Sequence, residues 1–301
     1  MKALKVLKLG LLMSLIFVIM PSLLYAQQDS LPVSDEGEET VYITKAFFGN
    51  RVLNGHSVET TPKGQLDLKL QHRMGRLDQG FSELFGLDQA AFTFGFEYGI
   101  LDWLMVGVGR STLNKQYDGF IKAKILRQSK GKRNMPLSLV ALAGMGINGT
   151  RWTFPERDNL FSSRLSYTYQ LIIGRKLWNR VGVQISPTWI HRNLVTSSAD
   201  HNDVFALGFG GRVRFSNRVA FTAEYFYVLP NQIISQYNGA DVTNNLSAGV
   251  EIFTGKHVFH VFLTNGSGMS ENQFITQNTE SWFNGVHIGF NMTRLFTIAE
   301  Y

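Results

Sequence analysis

Charged and amide side chains recur at every second residue in several stretches of this chain, with apolar residues between them. Asp67, Lys69, Gln71 and Arg73 alternate with Leu66, Leu68, Leu70 and His72, and Lys122 and Lys124 flank Ala123. Neighbouring side chains of an extended strand point to opposite faces, so this spacing gathers the polar groups on one side. Carried along the chain, the same parity collects Asp67, Lys69, Arg73, Glu97, Lys122, Lys124, Arg164, Arg212, Arg214, Glu224 and Glu251, with Gln71, Gln170, Gln184, His260 and His287 among them. Seven of these are Lys or Arg and four are Asp or Glu. On the inner face of a pore they would form a mildly cationic lining that favours small polar or anionic solutes. The plainer alternative is that they pair across strands and fill a closed barrel with a polar core.

Other groupings could support catalysis or binding of different kinds, and each is weak. A serine hydrolase built on a strand face needs His-x-Ser, because residues i and i+2 point the same way. The chain has no His-x-Ser; His56 and Ser57 are adjacent and would point apart if extended. Asp200, His201 and Asp203 could form an acidic-histidine site at a barrel mouth, but solvated loop residues have the same composition. His257 and His260 are three apart and face opposite ways in a strand, a poor metal pair. Gly208, Gly210 and Gly211 have no following helix to bind phosphate, and are better read as relief of crowding. No cofactor is called for, and an outer-membrane enzyme ranks third among the functional readings.

Elements of a particular kind must position these side chains. The apolar residues alternate with period two, as in Phe92, Phe94, Phe96 and Tyr98, or Phe205, Leu207 and Phe209. Twelve such strands are expected near 64–74, 90–99, 103–112, 118–127, 136–147, 161–176, 180–192, 203–215, 218–229, 244–254, 257–265 and 284–296. Their gaps mostly alternate between tight and long, as do the turns and loops of a membrane β-barrel. Trp103, Trp152, Trp178, Trp189 and Trp282 lie at or near proposed strand ends, where aromatic belts meet the two interfaces. Arg110 falls on the lipid face by parity, at a strand end from which it would snorkel or follow a bulge. The fold class is therefore all-β: a transmembrane, antiparallel, up-and-down barrel of about twelve strands over residues 64–301. No apolar run beyond the amino-terminal one reaches the roughly 18 residues of a spanning helix. Without such a helix, only a closed barrel satisfies every backbone group inside lipid.

Residues 1–26 read as an export signal, with Lys2, Lys5 and Lys8 before an apolar run and Ala26 at its end. Removing them lowers the formal charge from +6 to +3, so the basic balance is no argument for nucleic acid. Residues 27–40, with Asp29, Asp35, Glu36, Glu38 and Glu39 and no base, read as an acidic, flexible periplasmic tail. Residues 41–63 begin apolar and continue with Gly, Asn, His and Arg; a plug, a periplasmic collar and an extra strand all fit them. The long segments 230–243 and 266–283 carry Ile233, Ile234, Tyr237, Met269, Phe274, Ile275, Trp282 and Phe283. Such residues could form a partner surface, pack on one another, or enter the outer leaflet.

Six stretches carry a family resemblance: TKAFFGNRVLNGHSVET (Thr44–Thr60), KGQLDLKLQHRMG (Lys63–Gly75), FGLDQAAFTFGFEYGILDWLMVGVGRST (Phe85–Thr112), YDGFIKAKIL (Tyr117–Leu126), GKHVFHVFLTN (Gly255–Asn265) and IGFNMTR (Ile288–Arg294). The chain resembles, from about residue 44 onward, an uncharacterised family of Gram-negative outer-membrane β-barrels known only as a domain of unknown function. The resemblance implies a barrel in the outer membrane and transfers no activity. It marks 44–60, its most specific block, as more than a spacer. Tyr301 is aromatic but out of phase with Val286, Ile288, Phe290 and Phe296, so an assembly signal would end near Phe296. The leading expectation is a narrow passive channel for small polar or anionic solutes, with outer-membrane lipid around it. The alternative is a non-conducting structural barrel that docks a periplasmic or surface protein.

Overall fold

A computed structural model describes residues 39–299. The expected export signal, most of the acidic tail and Tyr301 lie outside the described residues. Twelve strands follow one another in a closed antiparallel barrel. They are β1 (Gln65–Arg76), β2 (Ala90–Leu101), β3 (Leu104–Ser111), β4 (Tyr117–Leu126), β5 (Ser138–Ile147), β6 (Leu165–Lys176), β7 (Val181–Arg192), β8 (Asp203–Arg214), β9 (Val219–Val228), β10 (Asn245–Phe253), β11 (His257–Thr264) and β12 (His287–Thr297). Each pairs with its chain neighbour, and β12 closes on β1 through pairs such as Asn291 with Gln71 and Thr293 with Lys69. Closure leaves no strand edge unpaired, which hydrocarbon demands of any chain that crosses it with strands.

The period-two pattern becomes two surfaces. In β1 the inward Asp67, Lys69, Gln71 and Arg73 are buried, and the residues between them are half exposed. Outward, Phe94, Phe96, Val108, Ile121 and Phe205 are exposed to the surroundings of the barrel, an apolar face suited to lipid. Tyr169, Trp189 and Phe205 occupy opposed positions on β6, β7 and β8. Their rings stack, with centroids 4.9 and 6.4 Å apart, a few residues from the end with the long connections. Register thus aligns aromatics from three strands into part of a belt at one height. Arg110 is exposed on the outer face with its guanidinium over the Tyr117 ring.

Two segments outside the wall decide what the lumen holds. At the short-turn end, Val41–Tyr42 pairs with Ser129–Lys130 of the β4–β5 connection. The chain then enters the barrel, reverses at Val52–Gly55, where the Val52 amide donates to the Gly55 carbonyl (2.9 Å), and returns to the same end. There the Lys63 amide donates to Asp102 in the β2–β3 turn (3.2 Å). From the opposite end the β11–β12 connection dips inward and forms helix α1 (Glu271–Thr276), every residue of which is buried. Phe274 and Ile275 pack with Ile190, Val204, Ala206 and Phe226 of the inner wall. Met269, Phe274 and Ile275 therefore belong to the barrel interior, whereas Phe283 of the same connection is 91% exposed.

Candidate functional site

The wall faces the inserted segment with side chains from most of its strands. A tight turn leaves backbone amides pointing outward with no internal acceptor, and burial makes an unpaired amide costly. Glu224 of β9 supplies the acceptors: its carboxyl oxygens take hydrogen bonds from the amides of Leu53 (3.2 Å), Asn54 (2.6 Å) and Gly55 (3.1 Å). Across the lumen, Asn291 of β12 donates to the Leu53 carbonyl (2.7 Å), and Arg73 of β1 donates to the Asn54 side chain. Lys122 of β4 donates to the carbonyls of Asn50 and Glu59. Gln184 of β7 accepts from the Val58 amide (3.2 Å) and donates to the His56 carbonyl (2.7 Å).

Apolar packing continues this fit. Ala46, Phe47, Val52 and Val58 of the segment cluster with Val140 of β5 and Ile172 of β6. Gly174 on β6 makes room for it: a Cβ there would lie 2.4 Å from Val58 Cγ1. Phe48 stacks on Phe253, and the Arg212 guanidinium lies 4.2 Å above the Phe48 ring.

Ion pairs complete the network. Lys69 Nζ donates to Glu97 Oε1 (2.9 Å), and Asn50 of the segment donates to both Glu97 and Asp67. Glu59 accepts the Ala46 amide (2.8 Å) and lies 3.7 Å from Lys124 Nζ. Glu251 stands between Arg212 (3.7 Å) and His260 (3.4 Å). At the tip of the segment, Arg51 donates to Glu271 of helix α1 (2.8 Å), so the two insertions meet inside the barrel. Small spaces of about 40 and 10 Å³ remain around this contact and beside Asn50. At roughly 10–15 Å³ per water position they hold a few waters and no solute.

The sequence-derived candidates fall into two groups. Asp67, Lys69, Arg73, Glu97, Lys122, Arg212, Glu224 and Glu251 are buried on the inner face, and Lys124 is largely covered there. Arg164 lies in a 3-10 turn, Phe161–Arg164, ahead of β6, so strand parity does not govern it. Its guanidinium bonds to the carbonyls of Asn148 and Thr150 and covers the Trp152 ring. Arg214 ends β8 and donates to the Asn179 carbonyl in the neighbouring turn (3.0 Å). Sequence parity did not identify Arg51, Glu59 or Glu271, which come from outside the strands. With them included, the bases Arg51, Lys69, Arg73, Lys122, Lys124 and Arg212 meet the acids Glu59, Asp67, Glu97, Glu224, Glu251 and Glu271. The basic excess expected from the wall is gone.

The other chemical candidates do not converge. Asp200 binds the amides of Ile234 and Ser235, Asp203 binds His191 and Trp189, and the His201 amide donates to the Gln232 carbonyl. His257 lies beside Phe259, and His260 beside Glu251. Among the described residues no group of three or more His, Asp or Glu side chains is placed to hold a metal.

Residues 47–296 match the family model described as a membrane bound beta barrel domain, DUF5777. The chain belongs to that family. A comparison of the sequence with curated proteins finds no match. Among solved structures, the NanC porin is similar at 7% identity and a TM-score of 0.46, over 77% of this chain and 98% of its own. The KdgM porin is similar at 9% and 0.45, over 76% and 99%. LpxR from Salmonella typhimurium is similar at 10% and 0.36, over 77% and 100%. Likenesses at this level say nothing of what this DUF5777 barrel binds or passes.

Proposed function

We propose that this protein is an outer-membrane barrel closed at rest by its own residues 44–62, which must leave the lumen before small polar solutes cross. The observation that carries this reading is the cap of Glu224 on the turn amides of Leu53, Asn54 and Gly55, deep inside the wall. A linker that merely lay in the lumen would not have its turn amides capped by a buried wall carboxyl. The interior is a polar network rather than an apolar core, so water entering as the segment leaves would hydrate the groups it uncovers. The exposed lumen would then present Lys69, Arg73, Lys122, Lys124 and Arg212 against Asp67, Glu97, Glu224, Glu251 and Glu271 of helix α1, a balanced lining that would select small polar solutes by size rather than by sign of charge.

Single-channel current in a planar bilayer tests this on the chain from residue 27 and on one from residue 63. The expected result is silence from the first and steady conductance from the second. Steady conductance from the longer chain would show that the segment is no seal. Silence from both, with folding established by heat-modifiable migration, would favour the non-conducting, partner-docking barrel. One observation supports that second reading: Val41 and Tyr42, which form a ribbon with the β4–β5 connection, are 61% and 47% exposed at the short-turn end.

A further inference from the structure

Four loops at the long-connection end enclose a pocket of about 210 Å³ at the mouth of the filled lumen, floored by Asn272 and Gln277 of the inward β11–β12 connection and lined by no residue of 44–62. Its wall includes Arg164, Arg192, Asn148 and Tyr237, and no lining side chain is acidic. Arg192 is 8% exposed and its Nε has no hydrogen-bond partner. The nearby carboxyl of Asp200 is engaged by Ile234 and Ser235. Arg164 is held in place by two backbone carbonyls and the Trp152 ring. Two restrained arginines that line one space no carboxylate lines are suited to an anion, and their planar forks favour a carboxylate or phosphate bound through two oxygens. The amide and phenol groups beside them match hydroxyls, and Leu194 and Val195 add an apolar flank. The volume is below the roughly 300–1,000 Å³ of pockets for drug-sized ligands, which limits the occupant to about one sugar ring.

We infer that this outer pocket binds a small hydroxylated carboxylate of the size of a single uronic acid. Binding there needs no movement of residues 44–62, so it stands whether or not the lumen ever opens.

Titration calorimetry on the refolded mature protein, with glucuronate, glucose and inorganic phosphate as separate probes, tests the inference. Glucuronate is expected to bind at least tenfold more tightly than glucose or phosphate. Arg164→Gln and Arg192→Gln are each expected to weaken glucuronate about tenfold or more. Because Arg192 also donates to the His201 carbonyl, Thr196→Trp at the exposed rim serves as a second probe that fills the space and should abolish binding. Equal affinity for phosphate and glucuronate would reduce the site to an unselective anion patch and overturn the inference. So would the absence of glucuronate binding in folded protein, or binding that survives Thr196→Trp.

Discussion

Removing the Glu224 carboxyl should loosen the inserted segment by an amount the structure allows us to estimate. Three buried amides, those of Leu53, Asn54 and Gly55, share its two oxygens at 2.6–3.2 Å. A hydrogen bond to a charged acceptor contributes about 1.5–3 kcal/mol, and a buried donor left unpaired costs about 1–3 kcal/mol. The three bonds share one group, and water entering the space left by Glu224→Ala would satisfy part of the deficit, so their sum overstates the loss. A net cost of about 3 kcal/mol is the reasonable figure, which at about 1.4 kcal/mol per decade favours the withdrawn state roughly a hundredfold. Glu224→Gln keeps the volume and one acceptor oxygen, and should shift the equilibrium only about tenfold. The chain has no cysteine, so Val58→Cys, at a side chain 2% exposed, provides a single reporter of withdrawal. Maleimide labelling of that reporter should run about a hundred times faster with Glu224→Ala than with Glu224 present. A rate unchanged within threefold or so, in barrels that remain folded, would mean that the amide cap does not hold the segment and that the estimate is wrong at its root.

Gly174→Val should press on Val58, since a Cβ alone lies 2.4 Å from it, and overpacking of about 1–3 kcal/mol should speed labelling of a cysteine at Ser57. Lys69→Met leaves Glu97 with Arg51 and Asn50 and should lower stability by about 3 kcal/mol in urea unfolding; adding Glu97→Leu should recover much of the loss. Burial pushes the Asp200 carboxyl up, but hydrogen bonds from Ser235 and Ile234, with the charge of Arg192, outweigh it and hold the carboxyl below its usual range. A depressed native value stabilises the fold above the ordinary carboxylate range, about pH 4, and that contribution is lost as the pH falls through the native value. Hydrogen exchange of residues 230–237 should therefore accelerate below about pH 4, and Asp200→Asn should remove that dependence. Arg51→Gln should free helix α1 from the tip of the segment, and chymotrypsin should then cut after the buried Phe274 sooner than in the parent chain.

The strands were legible in the sequence because a half-buried strand writes its two faces into a period of two. Phe94 and Phe96 outward with Glu97 inward, or Lys69 inward between Leu68 and Leu70, follow from local geometry alone. The exceptions are where local geometry stops. Arg164 lies outside the parity rule because it is in a 3-10 turn ahead of its strand, whereas Arg214 keeps the parity of Arg212 but ends its strand, where it donates to the Asn179 carbonyl. The segment 41–63 has no period, since its side chains answer to a surrounding wall rather than to one sheet face. Its Gly, Asn, His and Arg content showed that it was not an ordinary strand, yet nothing local showed where it went.

By itself, then, the sequence determined the closed barrel, its strand order and which residues of each strand turn inward. Those properties depend on neighbours one and two positions away and on the requirement that every backbone group in lipid be paired. Only the tertiary structure decided that the lumen is filled, and that Glu59, Arg51 and Glu271 bring its basic wall to balance. The pairs concerned are far apart in the chain, Arg51 with Glu271 by 220 positions and Asn54 with Glu224 by 170. Closing the barrel is what places them within hydrogen-bonding distance.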